Sequence, residues 1–252
     1  MKLREVIEKT SLKAAAREAG LELRMVGGRV ELTPTDPDDP RYCTDFILPT
    51  MRMVDACRAD DFDFFRPFID AGRLTEERMH RAAERYHLGK TRSGKPLFWM
   101  INERQEPLDA HIASGGWIST ALKARQPLLH AWCPVHCLFG QHLLLQEPDK
   151  EVCIVESERS AVVLSEVMPE CIWLATMYPM NLNVTSFEPL QGRCVMLYPR
   201  TDPVGDHYLA WLELADQARR IYDISVSVND LLEDKATPEQ KEQCIDLVDF
   251  LF

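Results

Sequence analysis

The chain has 252 residues, 46% of them hydrophobic and 27% charged, which supplies a core for one large or two modest domains of an ordinary soluble protein. Its formal net charge of −11 opposes indiscriminate binding to nucleic acid, whose phosphates attract Lys and Arg, while leaving room for a local basic patch. No apolar run reaches the ~18 residues of a membrane span, and the charged start MKLREVIEKT lacks the apolar stretch of a secretory signal.

Residues 2–19 read as a helix stopped at Gly20, because glycine accepts the left-handed conformation at a helix end. SLKAAAREAGL within it is similar to the first helix of a helix-turn-helix, but the next segment, LELRMV-GG-RVELT, is a hairpin pattern rather than a recognition helix. TPTDPDDP at 33–40 is a loop. From 43 to 90 the pattern is mainly helical, with Thr75-Glu76-Glu77 opening one helix. RMHRAAERYHLGKTRSGK, residues 78–95, carries six Lys or Arg against one Glu. It is either a solvated face or a patch that contacts phosphates through Arg78, Arg81, Arg85, Lys90, Arg92 and Lys95. PLFWMIN is strand-like and DAHI at 109–112 is its candidate partner; Trp99 is the aromatic considered for base stacking, while Trp173 and Trp211 belong to the core.

WCPVHCLFGQH brings together Cys133, His136, Cys137 and His142, which are zinc-ligand types, but the spacing is not that of a finger and no zinc is expected. The eight cysteines are scattered, and Cys153, Cys171 and Cys194 fall in apolar strands as small hydrophobes, so the expected location is the reducing cytoplasm. No phosphate-binding loop of the G-x-x-x-x-G-K-[ST] kind is present.

After residue 150 the order is strand, helix, strand, strand, helix, strand, helix: EVCIVES, ERSAVVLSEVM, ECIWLAT, RCVMLYP, GDHYLAWLELADQARR, IYDISVSV and TPEQKEQCIDLVDFL. In the last of these Thr237 is the N-cap, Pro238 the first helical residue and Gln240 the reciprocal capping partner. The fold class is therefore α/β, with a mainly parallel sheet flanked by helices over 145–252 and an α+β helical and hairpin lobe over 1–144. Ligands of such sheets gather beyond the carboxyl ends of the strands. One strand end presents Glu156 and Glu158, another Asp202 with Asp206 just after Gly205. Carboxylates on neighbouring strand ends make a Mg²⁺ site suited to phosphoryl transfer.

At these residues the sequence resembles the toprim domain of topoisomerases, bacterial primases and related nucleases. IVESERSAVVL matches its first element, with Glu156 at the catalytic glutamate, and LYPRTDPVG matches its second, with Asp202 as the second aspartate and Gly205 at the expected offset. Through FWMIN, CLFGQHLL, IVESERSA, WLAT, NLN, YPRTDP and ATPEQKEQCIDLVDFL the chain is also similar to primase-like toprim proteins of bacterial mobile elements. The resemblance implies a role in DNA replication or transfer, with DNA rather than RNA as the nucleic-acid partner and a replication protein as a second partner. It assigns Glu156 as general acid/base and Glu158, Asp202 and Asp206 as Mg²⁺ ligands. MYPM at 177–180 replaces the family's glycine pair, and the zinc ribbon of longer relatives is missing. Arg200 stands where the family has its first aspartate, and a guanidinium repels a cation, so Mg²⁺ binding is expected to be weak or absent. Three outcomes stay open. Arg200 folds onto Glu156, Glu158 or Asp202 and leaves a non-enzymatic scaffold; it grips phosphate directly; or Asp206 rotates in as a substitute ligand and activity persists.

Overall fold

The computed structural model describes residues 13–18, 20–26, 29–34, 49–113, 115–125, 136–177 and 182–252. Of the expected first helix, 13–18 is helical, with 1–12 and 19 outside the described residues; of the expected loop at 33–40, Thr33 and Pro34 instead end a strand and 35–40 lie outside the described residues. The hairpin pattern forms β1 (Leu21–Val26) and β2 (Arg29–Pro34), antiparallel with Val26 opposite Arg29.

Three helices follow. Thr50 caps α1 (Met51–Ala56), α2 (Arg66–Asp70) carries Pro67 in its first turn, and Thr75 caps α3 (Glu76–Arg85) by accepting the Arg78 N–H. β3 (Gly89–Lys90), β4 (Pro96–Ile101) and β5 (Pro107–Ile112) form an antiparallel sheet in that order. Helix α4 (Ile118–Arg125) follows β5, and the Ser119 amide at its start donates to the buried Asp109 carboxylate. The strand-like segment at 96–102 and its candidate partner at 109–112 thus pair as expected.

The second half is a four-stranded parallel sheet in the order β7 (Ile172–Ala175), β6 (Val152–Val155), β8 (Cys194–Leu197), β9 (Ser225–Val228). Helix α5 (Glu158–Val167) connects β6 to β7, and the 17-residue α6 (Asp206–Tyr222) connects β8 to β9. The two connections run in opposite directions along the sheet, so right-handed crossovers place their helices on opposite faces. Both faces are then covered, which is why β6 and β7 read as unbroken apolar runs. The fold is α/β, and the chain reverses direction in the sheet between β6 and β8.

Two expectations change. TPEQKEQCIDLVDFL is not one helix: α7 (Leu231–Lys235) is followed by α8 (Pro238–Glu242) and, after Cys244 at φ 52°, by a separate α9 (Leu247–Leu251). Thr237 and Gln240 form the expected capping box of α8, but Asp246 and Asp249 form a second one that starts α9. The break frees the Ile245 carbonyl to accept the Thr201 N–H at 3.0 Å, joining the C-terminus to the end of β8. Trp99, in turn, is fully buried among Val54, Leu97, Ile101 and Ala110 and offers no stacking surface. Trp173 and Trp211 are core residues as expected.

A single hydrophobic cluster runs from Phe62 to Val248 and crosses the 144/145 boundary expected from the sequence. Phe139 bridges Ala175 at the free edge of β7 with two backbone hydrogen bonds, and Tyr86 donates its hydroxyl to the Trp173 carbonyl at 2.7 Å. The two halves are therefore packed and hydrogen-bonded together.

Candidate functional site

The reversal between β6 and β8 sets two strand tips side by side at the carboxyl ends of the strands, the place where such sheets bind ligands. Glu156 is the first residue after β6. Its carbonyl accepts the Met177 N–H at 2.8 Å, while Tyr198 after β8 donates to the Ile154 carbonyl, so strand pairing fixes both tips. Arg200 follows β8 by three residues and meets Glu156 directly. Its backbone N–H donates to Glu156 Oε1 at 3.3 Å, and its Nε lies 3.3 Å from Oε2. His207 Nδ1, in the first turn of α6, lies 3.7 Å from Oε1.

Glu156 is only 2% exposed. Arg200 Nε, Glu156 Oε2 and His207 Nδ1 are buried at ion-pair distance but out of line for hydrogen bonds. A buried charge compensated this incompletely favours its neutral form. Burial accordingly pushes the Glu156 carboxyl up to about 7, against the opposing pull of Arg200 and with the help of the nearby Asp246 and Asp202 carboxylates.

Asp202 has other work. Its carboxylate accepts the amides of Val204 at 3.0 Å, Asp206 at 3.0 Å and His207 at 2.8 Å, closing the turn before α6. Burial opposes its ionisation, but these amides outweigh it and hold the carboxyl below its ordinary value. Asp206 is exposed at the first turn of α6. Glu158, two residues beyond Glu156, turns toward the antiparallel sheet and meets His111 Nδ1 at 2.5 Å. The expected acid/base, Glu156, thus lies on an arginine, while of the carboxylates expected to hold metal Asp202 closes a helix terminus, Glu158 meets a histidine and Asp206 is exposed. Among the described residues no group of three or more His, Cys, Asp or Glu converges as metal ligands would.

Of the zinc-type residues, Cys133 lies outside the described residues. His142 donates Nε2 to the Arg85 carbonyl at 3.0 Å, and burial lowers its pKa to about 4. His136 Nε2 faces Asp109 Oδ2 at 3.3 Å, and Cys137 is buried in the main core.

Four of the six basic residues are held in ion pairs. Arg81 forks onto the buried Glu166, with Arg78 at 3.9 Å from the same carboxylate; Arg85 pairs with Glu147 at 2.5 Å, and Lys90 with Asp61 at 2.9 Å. Arg92 and Lys95 are exposed in the turn between β3 and β4.

Sequence reasoning missed Asp246. Fully buried beside the strand tips, it accepts the amides of Ser157 and Leu247, and burial raises its pKa. The pattern of an acid three residues before Asp249, ahead of an apolar run, is a helix-start signal and could have located it. The pairs His111 with Glu158 and His136 with Asp109 carry no local signal, because their members are 47 and 27 residues apart.

Comparison with protein-family models matches residues 64–201, more than half of the chain, to a domain of unknown function, DUF6371. The matched span contains the antiparallel sheet, β6 to β8, Glu156 and Arg200. No match was found among curated proteins or among solved structures.

Proposed function

The chain belongs to the DUF6371 family, and from that premise we propose that it is a primase-like, toprim-type protein of a bacterial mobile element that has given up Mg²⁺-dependent phosphoryl transfer. It acts in the cytoplasm as a non-enzymatic binding component of DNA replication or transfer. The observation that carries this reading is the contact of Arg200 with Glu156. The glutamate that would serve as acid/base is buried against a permanent cation, and the aspartate that would hold metal is committed to backbone amides. A divalent ion approaching these strand tips meets a guanidinium and carboxylates that are already engaged. The strand order supports the toprim-type assignment, since it sets Glu156 and Asp202 on adjoining strand tips.

Calorimetric titration of Mg²⁺ and Mn²⁺ into the wild type and Arg200→Asp tests the reading. The wild type is expected to give no saturable heat and the variant a saturable binding isotherm, because it exchanges repulsion of the ion for attraction. Saturable binding to the wild type with nuclease or nucleotidyl-transfer activity would overturn it.

A further inference from the structure

The acidity of this chain is unevenly placed. Residues 202–252 hold twelve Asp or Glu against four Lys or Arg, so most of the net charge of −11 falls on the last fifth of the sequence. Several of these acids are already used. Asp202 and Asp246 are buried on backbone amides, and Glu233 pairs with Lys241 at 2.5 Å. Asp206, Asp230 and Asp234 are exposed, and none of them pairs with a cation among the described residues.

The fold gathers these three at the start of α6. Asp206 is its first residue, and α7 stands over its N-cap, because a methyl group built on Gly205 would meet Glu233 Oε1 at 3.3 Å. Partial burial raises the Tyr208 hydroxyl above its ordinary value, and Asp230, Asp234 and Glu233 add to the effect, which sets their charges around the first turn of α6. Apolar side chains stand in the same place. Val204 is 74% exposed and Leu209 59%. They occupy the positions before the N-cap and at the fourth helical residue, which lie side by side at a helix start. A singly exposed apolar residue is ordinary, whereas neighbouring ones bordered by polar groups mark a contact surface. The surface is also formed in advance. The buried Asp202 carboxylate accepts the amides of Val204, Asp206 and His207, so a partner that binds here orders little backbone.

Charge selects the occupant. Whatever covers Val204 and Leu209 brings its own apolar group into the field of three unpaired carboxylates. Lys and Arg suit such a place, since their stems are apolar and their heads cationic. A second copy of this chain, itself at −11, is poorly matched. We propose that the first turn of α6, with the start of α7, docks a basic segment of a protein partner, an apolar side chain covering Val204 and Leu209 and flanking Lys or Arg meeting Asp206, Asp230 and Asp234. The inference goes beyond the reading above and rests on it only in taking the chain to be a binding component. It uses neither Glu156 nor Arg200.

The test is fluorescence anisotropy of a labelled amphipathic peptide of about fourteen residues, Leu and Lys at helical spacing, titrated with the full chain. The wild type is expected to bind it and not to bind the same pattern with Glu in place of Lys. Val204→Ser with Leu209→Ser is expected to weaken binding at least about tenfold through the lost apolar contact. Asp230→Asn with Asp234→Asn is expected to weaken it several-fold and to flatten its salt dependence. All four positions are exposed, and Asn remains a capping residue at position 230, so both variants are expected to keep the wild-type unfolding midpoint within a few tenths of 1 M urea. Wild type that does not bind the Lys peptide or binds the Glu peptide equally, a serine variant that binds as wild type, or an asparagine variant with unchanged affinity and salt dependence would each overturn the assignment. Sedimentation showing self-association that the serine variant abolishes would give the surface to a second copy and overturn it too. The metal titration with Arg200→Asp reads other residues, so the two readings fail separately.

Discussion

Glu156 carries two opposing influences in one side chain. An arginine lies 3.3 Å away, yet its pKa rises to about 7 because burial outweighs the imperfectly aligned partner. In the unfolded chain this carboxyl ionises near its ordinary value of 4.5. Between those two values the folded state holds more protons than the unfolded one, so stability falls as pH rises through the window and levels off above it. A shift of this size corresponds to on the order of 3 kcal/mol. Burial raises Asp246 as well, and it acts in the same direction. Urea unfolding of the wild type is expected to show declining midpoints from about pH 4.5 to about 7, and Glu156→Gln to flatten that decline. An unchanged pH profile in the variant would assign the proton to another group.

At the scale of the element, α6 shows how a metal-ligand pattern and a helix-start pattern can look alike. Asp202, Pro203, Val204 and Gly205 have the acid and the glycine that a strand-tip metal site would offer. Gly205 sits at φ 79° and provides no side-chain cap, so Asp202 supplies the missing acceptor from four residues before the amide of Asp206. Asp202→Ala leaves the amides of Val204, Asp206 and His207 without their acceptor, and is expected to cost about 1–2 kcal/mol in chemical denaturation. Asp202→Asn keeps an acceptor oxygen and is expected to cost less. The residue identities alone do not separate the two roles, since both need an acid at the end of a strand. The direction in which the carboxylate points depends on where the helix begins. The strand and helix alternation after residue 150 was legible for a different reason: its apolar runs are short, continuous and bounded by polar tips. The broken C-terminal helix was not, because its interruption is favoured by Thr201, which lies 44 residues before the Ile245 carbonyl it engages.

Across the whole molecule, the basic stretch illustrates the same limit. Its density of cations is plain in the sequence, but the carboxylates that neutralise Arg81 and Arg85 lie 85 and 62 residues further on. Only folding shows which cations stay open. The same long-range contacts join the halves, with Arg81 on Glu166, Tyr86 on the Trp173 carbonyl and His111 on Glu158 all crossing from the antiparallel part to the parallel one. Calorimetry of the whole chain is therefore expected to give one cooperative unfolding transition, and residues 145–252 expressed alone to lack one, because they would expose the surface that Tyr86, Leu88 and Phe139 now cover. Two separate transitions, or a cooperatively folded fragment, would mean that the shared cluster contributes little to either half.

The borders of the parallel sheet limit how anything can attach to it. On the β7 side Phe139 already occupies the backbone groups of Ala175. On the β9 side the Asn229 amide points inward to the Leu197 carbonyl, so alternation turns the Val226 carbonyl outward, where Arg219 of α6 donates to it at 2.8 Å. An incoming extended peptide would find one margin filled and the other plugged by a guanidinium, which disfavours growth by strand addition and the fibrous self-association that open sheet margins invite.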